Sequence, residues 1–345
     1  MRGIKIVAPR KVEVQEWEDV KVEPHEVRVR IKASALCRSD LSLYYMDQMA
    51  PTVGAKAAGS VIPGHEPAGV IEEVGSAVTG LKIGDRVAIN CFDGCGHCRF
   101  CRAGFPQHCE TRFVCLGFDR HGGDADTLVT PASTCLPIPD DMSFKTACIS
   151  TDVIGNLYNT MKTIGVNGNK RVAVIGVGPM GLGGVLAAKA MGAEVIAVDT
   201  VQNRLDSAQS LGADHAFMSD QAAKYVKELT KGKGLDCVVD CSGNPNGVNL
   251  GFEMLGKFGK FGQIGGGNNA TISLGAFVDK VATYVGSWYF GMGEWDEIVD
   301  LIMNKIGNDV AERLVSHEFP LENPAVQEAW ELFDHHQTDK VIFIP

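Results

Sequence analysis

The stretch "RVAVIGVGPMGLGGVLAAKAMGAEVIAVD", residues 171–199, constrains the fold more tightly than any other. An apolar run rich in β-branched residues leads into Gly176, Gly178 and Gly181, in G-x-G-x-x-G order. A helical Ala- and Leu-rich run follows, then a second apolar run ending at Asp199. Strand, glycine turn, helix and strand in succession require a parallel sheet with helices on its faces. In that context the first glycine permits the tight turn and the second lets a pyrophosphate approach the backbone, while the helix N-terminus supplies N–H donors. An acidic residue about 20 positions on, at the end of the next strand, accepts the ribose hydroxyls of NAD and repels the 2′-phosphate of NADP. Asp199 stands there. Without a ligand, the glycines would serve helix packing and Asp199 would be a solvated strand end. Arg204 fits either the adenosine ribose or a solvated helix face.

The same rhythm continues through "LDCVVDCSG", "FGKFGQIGG" and "YVGSWYF". It predicts a doubly wound α/β domain over 154–292. From residue 1 to about 150 the texture differs. Short β-rich runs such as "EVRVRIKASAL" and "PAGVIEEVG" alternate with Gly and Pro turns, which reads as a barrel-like β domain. A chain of 345 residues accommodates two such domains. The ending "DKVIFIP" reads as an edge strand.

Charge and composition narrow the function. A net charge of −10 opposes binding to nucleic acid. The N-terminus lacks the apolar run of a signal peptide, and no stretch offers about 18 uninterrupted apolar residues. A reducing, cytoplasmic location is therefore expected, in which the eleven cysteines act as free thiols or metal ligands.

Cys95, Cys98, Cys101 and Cys109 lie within "GCGHCRFCRAGFPQHC", spaced C-x2-C-x2-C-x7-C. Bacterial ferredoxins begin the same way, but their next cysteine comes after three residues and precedes proline. Here the gap is seven and Glu110 follows. Four thiolates on a short Gly-punctuated lobe suit a closed tetrahedral zinc site better than an iron–sulfur cluster or a set of buried thiols. A second constellation is dispersed: Cys37 in "CRSD", His65 and Glu66 in "GHE", and Asp152 in "STDV". Singly these read as a buried thiol, a strand-edge charge and a helix N-cap. Together they supply the S, N and O donors of a zinc site with one open position.

With "CRSD" (37–40), "GHE" (64–66), "GDRV" (84–87), the four-cysteine lobe, Asp152 and the strand-framed glycines in this order, the chain resembles the zinc-dependent medium-chain alcohol/polyol dehydrogenases along essentially its whole length. The resemblance implies a GroES-like catalytic domain, 1–153 completed by 293–345, and a Rossmann NAD-binding domain, 154–292. It implies two zinc ions per chain. Cys37, His65 and Asp152 would ligate the catalytic one, with Glu66 a transient ligand, and the four lobe cysteines would hold the structural one. Asp40 would fix the histidine tautomer and Ser39 would accept the substrate proton. Arg38 would meet the pyrophosphate or be a solvated arginine. Ser242–Gly243 and the "IGGG" turn, 264–267 with Gly265, would lie beside ribose and nicotinamide. Cys237 and Cys241 are expected to be core or loop thiols.

The implied reaction passes a hydride between a small-molecule alcohol or polyol, a secondary one on account of the acidic third ligand, and NAD. One departure concerns the proton: the family's histidine five residues after the first zinc cysteine is replaced by Ser42. Loops around Tyr44, Tyr45, Cys91 and Phe118 are candidate pocket walls. Two competing readings are a zinc-free NAD(P)H enoyl or quinone reductase on the same fold and a non-catalytic zinc-ribbon binding protein. The aromatic segment 284–291 is expected to form the last strand of the sheet and, left open, to pair with a second chain in a homodimer or homotetramer.

Overall fold

The computed structural model describes residues 1–46, 59–266 and 268–345. Its contacts divide the chain into two units, one of Met1–Thr151, Gly291–Trp295 and Val315–Pro345, the other of Asp152–Phe290 and Asp296–Leu314.

The first unit is built on a seven-stranded sheet. Its path runs Val315–Pro320, Lys340–Ile344, Glu26–Leu36, Glu66–Val74, Arg86–Ile89 and Cys135–Pro137, with Thr127–Pro131 also paired to Glu26–Leu36. Alternation explains the long strand. Val27, Val29, Ile31 and Ala33 are buried, while Arg30 and Lys32 face water. From Ala33 to Leu36 both faces are covered, and this buried stretch delivers Cys37 to the sheet's end. The C-terminal strand is not at an edge, as its sequence suggested. Lys340–Ile344 lies between Glu26–Leu36, to which it is antiparallel, and Val315–Pro320, which takes the edge. Its run of buried residues shows that both faces of this strand are covered.

The second unit is a six-stranded parallel sheet. Its order is His215–Met218, Glu194–Asp199, Arg171–Ile175, Leu235–Asp240, Leu255–Gln263, Thr283–Gly286. Numbered along the chain this is 3-2-1-4-5-6, so the direction of winding reverses between Arg171–Ile175 and Leu235–Asp240, where such sheets bind ligands. The aromatic segment does not continue as a strand to residue 291. The strand stops at Gly286, and Tyr289 takes a left-handed conformation with φ 63° and is buried. No helix among the described residues is long and apolar enough to cross a membrane.

Candidate functional site

In the first unit, Cys37 follows the strand Glu26–Leu36 and His65 precedes Glu66–Val74, two strands that pair antiparallel and bring the residues to one end of the sheet. Asp40 organises both. Its Oδ2 accepts the Cys37 N–H at 2.8 Å, and its Oδ1 lies 2.9 Å from His65 Nδ1. A proton on Nδ1, bonded to that carboxylate, leaves Nε2 with a lone pair for a metal. Ser39 Oγ stands 3.5 Å from the same Nε2, and the Phe118 ring packs 5.3 Å from the imidazole. Ser42 donates its hydroxyl to the Ser39 carbonyl at 2.7 Å.

Asp152 is not a helix N-cap. It lies inside a π-helical stretch, Ser150–Gly155, that joins Phe144–Ile149 to Asn156–Ile164. Such one-turn widenings are frequent at functional sites because they re-aim a side chain from within a helix. Cys37, His65, Glu66 and Asp152 each offer one ligand atom, and these atoms lie within 4.8 Å of one another. One thiol, one imidazole and carboxylate oxygen form the donor set of a catalytic zinc.

Two residues close to this set, Lys340 and Asp124, carry no recognisable motif. Glu66 Oε1 stands 3.9 Å from His65 Nε2 and is ion-paired with Lys340, both side chains being buried. A lysine heading an apolar strand was the available clue. Asp124 is wholly buried, accepts the Ser34 hydroxyl at 2.6 Å, and is pushed up to about 7 by burial and by the negative charge of Asp40.

The lobe cysteines also converge. Their sulfurs lie within 4.8 Å of one another, with Cys95 to Cys101 at 4.0 Å and Cys98 to Cys109 at 3.9 Å. Those separations are far beyond a disulfide bond of about 2.05 Å. N–H groups point at the sulfurs: Cys98 N to Cys95 Sγ at 3.3 Å, Cys95 N to Cys109 Sγ at 3.3 Å, and Arg112 N to Cys109 Sγ at 3.3 Å. Burial pushes the Cys109 thiol up, but the N–H groups of Cys95, Thr111 and Arg112 outweigh it and bring it down to about 5. The Thr111 hydroxyl and the His97 N–H bring Cys95 down to about 7, whereas burial pushes Cys101 up to about 12. Thiolate-stabilising donors around four sulfurs fit a cation. Any side chain at Gly94 would meet Cys101 Sγ at 2.6 Å, which leaves only glycine there.

The dinucleotide elements belong to the second unit. Gly176 takes φ 80°, and a Cβ there would meet Ser242 at 2.8 Å, so the turns ending two neighbouring strands touch. Gly178 is the N-cap of the helix Pro179–Ala190, and a Cβ on Gly181 would strike the Gly176 carbonyl. Asp199 is more occupied than its sequence suggested. Oδ2 accepts the Val177 N–H at 2.8 Å, and Oδ1 accepts those of Thr200 and Val201 at 2.8 and 3.0 Å. The carboxylate thus braces the glycine turn. Arg204 lies 3.8 Å from Asp199 Oδ1 and beside Gly178. Asp240 gathers Ser242 Oγ at 2.6 Å, Gly243 N at 2.9 Å and Gln263 Nε2 at 2.6 Å, and its carbonyl takes the Gly265 N–H at 3.0 Å. Gly267, the end of the "IGGG" turn, lies outside the described residues.

The remaining candidates are placed elsewhere. Arg38 donates to His336 Nδ1 at 2.8 Å. Tyr44 packs on Trp330 and Tyr45 bonds Asp334, so both engage the helix Ala325–Asp334. Cys91 and Cys237 are buried, and Cys241 is partly exposed; none joins either ligand cluster.

Comparison with known proteins agrees with this geometry. Residues 23–140 match the alcohol dehydrogenase GroES-like domain and residues 179–304 the zinc-binding dehydrogenase domain. The chain is 33% identical to "L-threonine 3-dehydrogenase" of Bacillus subtilis over 94% of its own length and 92% of that protein's. It is 33% identical to "Probable D-xylulose reductase A" of Aspergillus fumigatus over 81% of its length and 79% of that protein's. Among solved structures, the alcohol dehydrogenase of Thermus sp. ATN1 superposes with a TM-score of 0.90 at 27% identity, covering 100% of this chain and 99% of that one. The chain belongs to the zinc-dependent medium-chain alcohol/polyol dehydrogenases, oxidoreductases that use zinc and NAD to move a hydride to and from the carbon of an alcohol.

Proposed function

We propose that Cys37, His65 and Asp152 hold the catalytic zinc, with Glu66 close enough to serve as a transient ligand, and that the substrate is a secondary alcohol or polyol. The convergence of these four ligand atoms within 4.8 Å carries the reading. Zinc held there supplies Lewis acidity toward an alcohol oxygen, and NAD supplies the hydride acceptor. The chain's own residues do the rest. Asp40 keeps the His65 tautomer and holds the Cys37 backbone N–H. Ser39, 3.5 Å from His65 Nε2, takes the hydroxyl proton of the substrate. Because the Ser42 hydroxyl is spent on the Ser39 carbonyl, it holds Ser39 in place and a water receives the proton next.

For the cofactor, Gly176, Gly178 and Gly181 take the pyrophosphate at the helix N-terminus. Asp199 and Arg204 take the adenosine ribose, Ser242 and Gly265 the nicotinamide half, and Arg38 a phosphate. Cys95, Cys98, Cys101 and Cys109 hold a second, structural zinc. A zinc-free reductase on this fold would have no use for either ligand set. The division into a catalytic domain, 1–153 with 293–345, and a nucleotide domain, 154–292, goes with this assignment, as does a cytoplasmic, reducing location.

A homodimer or homotetramer also belongs to the reading. Thr283–Gly286 is the edge of its sheet, and Leu274, Val278, Val281, Tyr284 and Trp288 are exposed along or near it.

The deciding experiment is NAD reduction across a panel of primary alcohols, secondary alcohols and polyols, with zinc counted by elemental analysis. The reading expects two zinc ions per chain and turnover confined to secondary carbinols; one zinc, or preference for primary alcohols, overturns it.

A further inference from the structure

We propose that Asn156 is a positioning residue for Asp152, which it orients by tying that carboxylate to the segment that leaves the last strand of the nucleotide sheet. The inference rests on Asp152 being a metal ligand.

Asn156 is buried one turn beyond Asp152, where the π-helical stretch gives way to the helix Asn156–Ile164. Its Nδ2 faces Asp152 Oδ1 at 3.5 Å. The orientation of the amide is set from the other side: Asn156 Oδ1 accepts the Tyr289 N–H at 2.8 Å. A backbone N–H can only donate, so the oxygen must point at Tyr289 and the NH2 group at Asp152. The donor that Asp152 meets is therefore fixed by the backbone of another segment.

That segment is held firmly. Asn159 Nδ2 donates to the Tyr289 carbonyl at 2.6 Å, so two asparagines about one helical turn apart bracket both polar groups of one residue. The Thr160 hydroxyl bridges the Asn156 carbonyl at 2.9 Å and Ser287 Oγ at 2.8 Å. Tyr289 itself has φ 63°, a conformation that a non-glycine residue keeps where its surroundings dictate it. With that conformation, the chain turns away from the strand at Gly286 and presents the Tyr289 N–H to the helix. Hydrogen bonds that orient a metal's ligand tune its affinity, commonly by about 10–100-fold.

A purely structural Asn156 would clamp Tyr289 and nothing more. Asn159 does only that, which makes it the control. Asn156→Leu removes the donor to Asp152 and the acceptor for Tyr289. Asn159→Leu removes the other half of the same clamp and leaves Asp152 untouched. Asn156→Asp keeps an acceptor for Tyr289 and so preserves the clamp, while removing the donor.

The readouts are release of zinc to a colorimetric chelator and the visible absorption of the cobalt-substituted enzyme. Asn156→Leu is expected to release the catalytic-site zinc about tenfold more readily and to shift the cobalt bands, and Asn156→Asp to shift the bands. Asn159→Leu is expected to lower Tm with metal release within about twofold of wild type. Wild-type release and spectra in folded Asn156→Leu and Asn156→Asp overturn the inference, as does equal zinc loss in Asn159→Leu. Wild-type protein that holds one zinc overturns the metal-site reading itself, and this inference with it.

Discussion

Lys340 and Glu66, 274 positions apart in the chain, form a buried ion pair and head the strands Lys340–Ile344 and Glu66–Val74, which flank Glu26–Leu36 on opposite sides. The pair sets a charged group beside His65 in a place that water does not reach, and it fixes the depth to which the C-terminal strand inserts. Removing one partner of such a pair strands the other charge and costs about 3–5 kcal/mol. Lys340→Met is therefore expected to destabilise the protein by that amount in urea unfolding. Glu66→Gln combined with Lys340→Met should cost clearly less than the two single changes summed. Strict additivity would show that the two side chains do not interact.

Zinc content should separate the two ligand sets. Cys98→Ser is expected to lower elemental zinc from two to one per chain and to lower Tm sharply, because a closed metal site contributes its binding energy to folding. His65→Ala should also leave one zinc but keep the cooperative unfolding transition while abolishing turnover. Retention of both ions by either variant would refute the assignment of that site.

Asp199→Ala is expected to do two things at once. Loss of the negative charge should relax discrimination against NADP. Loss of the acceptor should leave the N–H groups of Val177, Thr200 and Val201 without a partner, which costs about 1–3 kcal/mol and should raise the KM for NAD by about tenfold or more. An unchanged KM for NAD would mean that the glycine turn does not depend on Asp199.

Asp124 gives a pH dependence. Its carboxyl is held near 7 by burial, against the ordinary carboxylate value near 4 in the unfolded chain. Between about pH 4 and 7 the folded protein keeps a proton that the unfolded chain has lost, so this group's contribution falls as pH rises through that window. Asp124→Asn, which keeps an acceptor for the Ser34 hydroxyl, should flatten the decline and raise stability above pH 7. Parallel stability–pH curves for the two proteins would rule this out.

Light scattering tests the open edge. The protein is expected to run at two or four times 37.0 kDa, and Val281→Lys with Tyr284→Lys to shift it toward the monomer. A wild-type mass of one chain means that nothing covers Leu274, Val278 and Val281.

Much of this site is legible in the sequence because its parts are local. Four cysteines within sixteen residues, a histidine beside a glutamate, and three glycines framed by a strand and a helix carry their chemistry in their spacing. What escaped is what depends on distant pairing. Nothing near Lys340 in the chain says that Glu66 waits for it, and a lysine before "VIFI" reads as the polar end of a strand. The edge placement failed for the same reason, since Val315–Pro320, with its alternating exposure, is the less conspicuous strand. Asp152 was named as a ligand from the whole constellation, but taken singly it read as a cap, because a π-helical widening has no sequence pattern of its own. The Asp199 backbone bonds were hidden because one carboxylate can serve a ligand and a turn, and spacing reveals only the first.

The placement of Lys340–Ile344 between two other strands also bears on the order in which the protein can be made. The parallel sheet from Arg171 to Gly286 is continuous in sequence and can assemble while the ribosome is still at work. The first unit cannot: its N-terminal strands emerge first, yet the strand that fills their sheet is synthesised some three hundred residues later. Until then the Ser34–Leu36 end of the long strand lacks its C-terminal neighbour and Glu66 stays without its lysine. A nascent chain in that condition is the form that a chaperone would meet, and the cysteine lobe, complete by residue 109, is the part that the proposed structural zinc would hold together first.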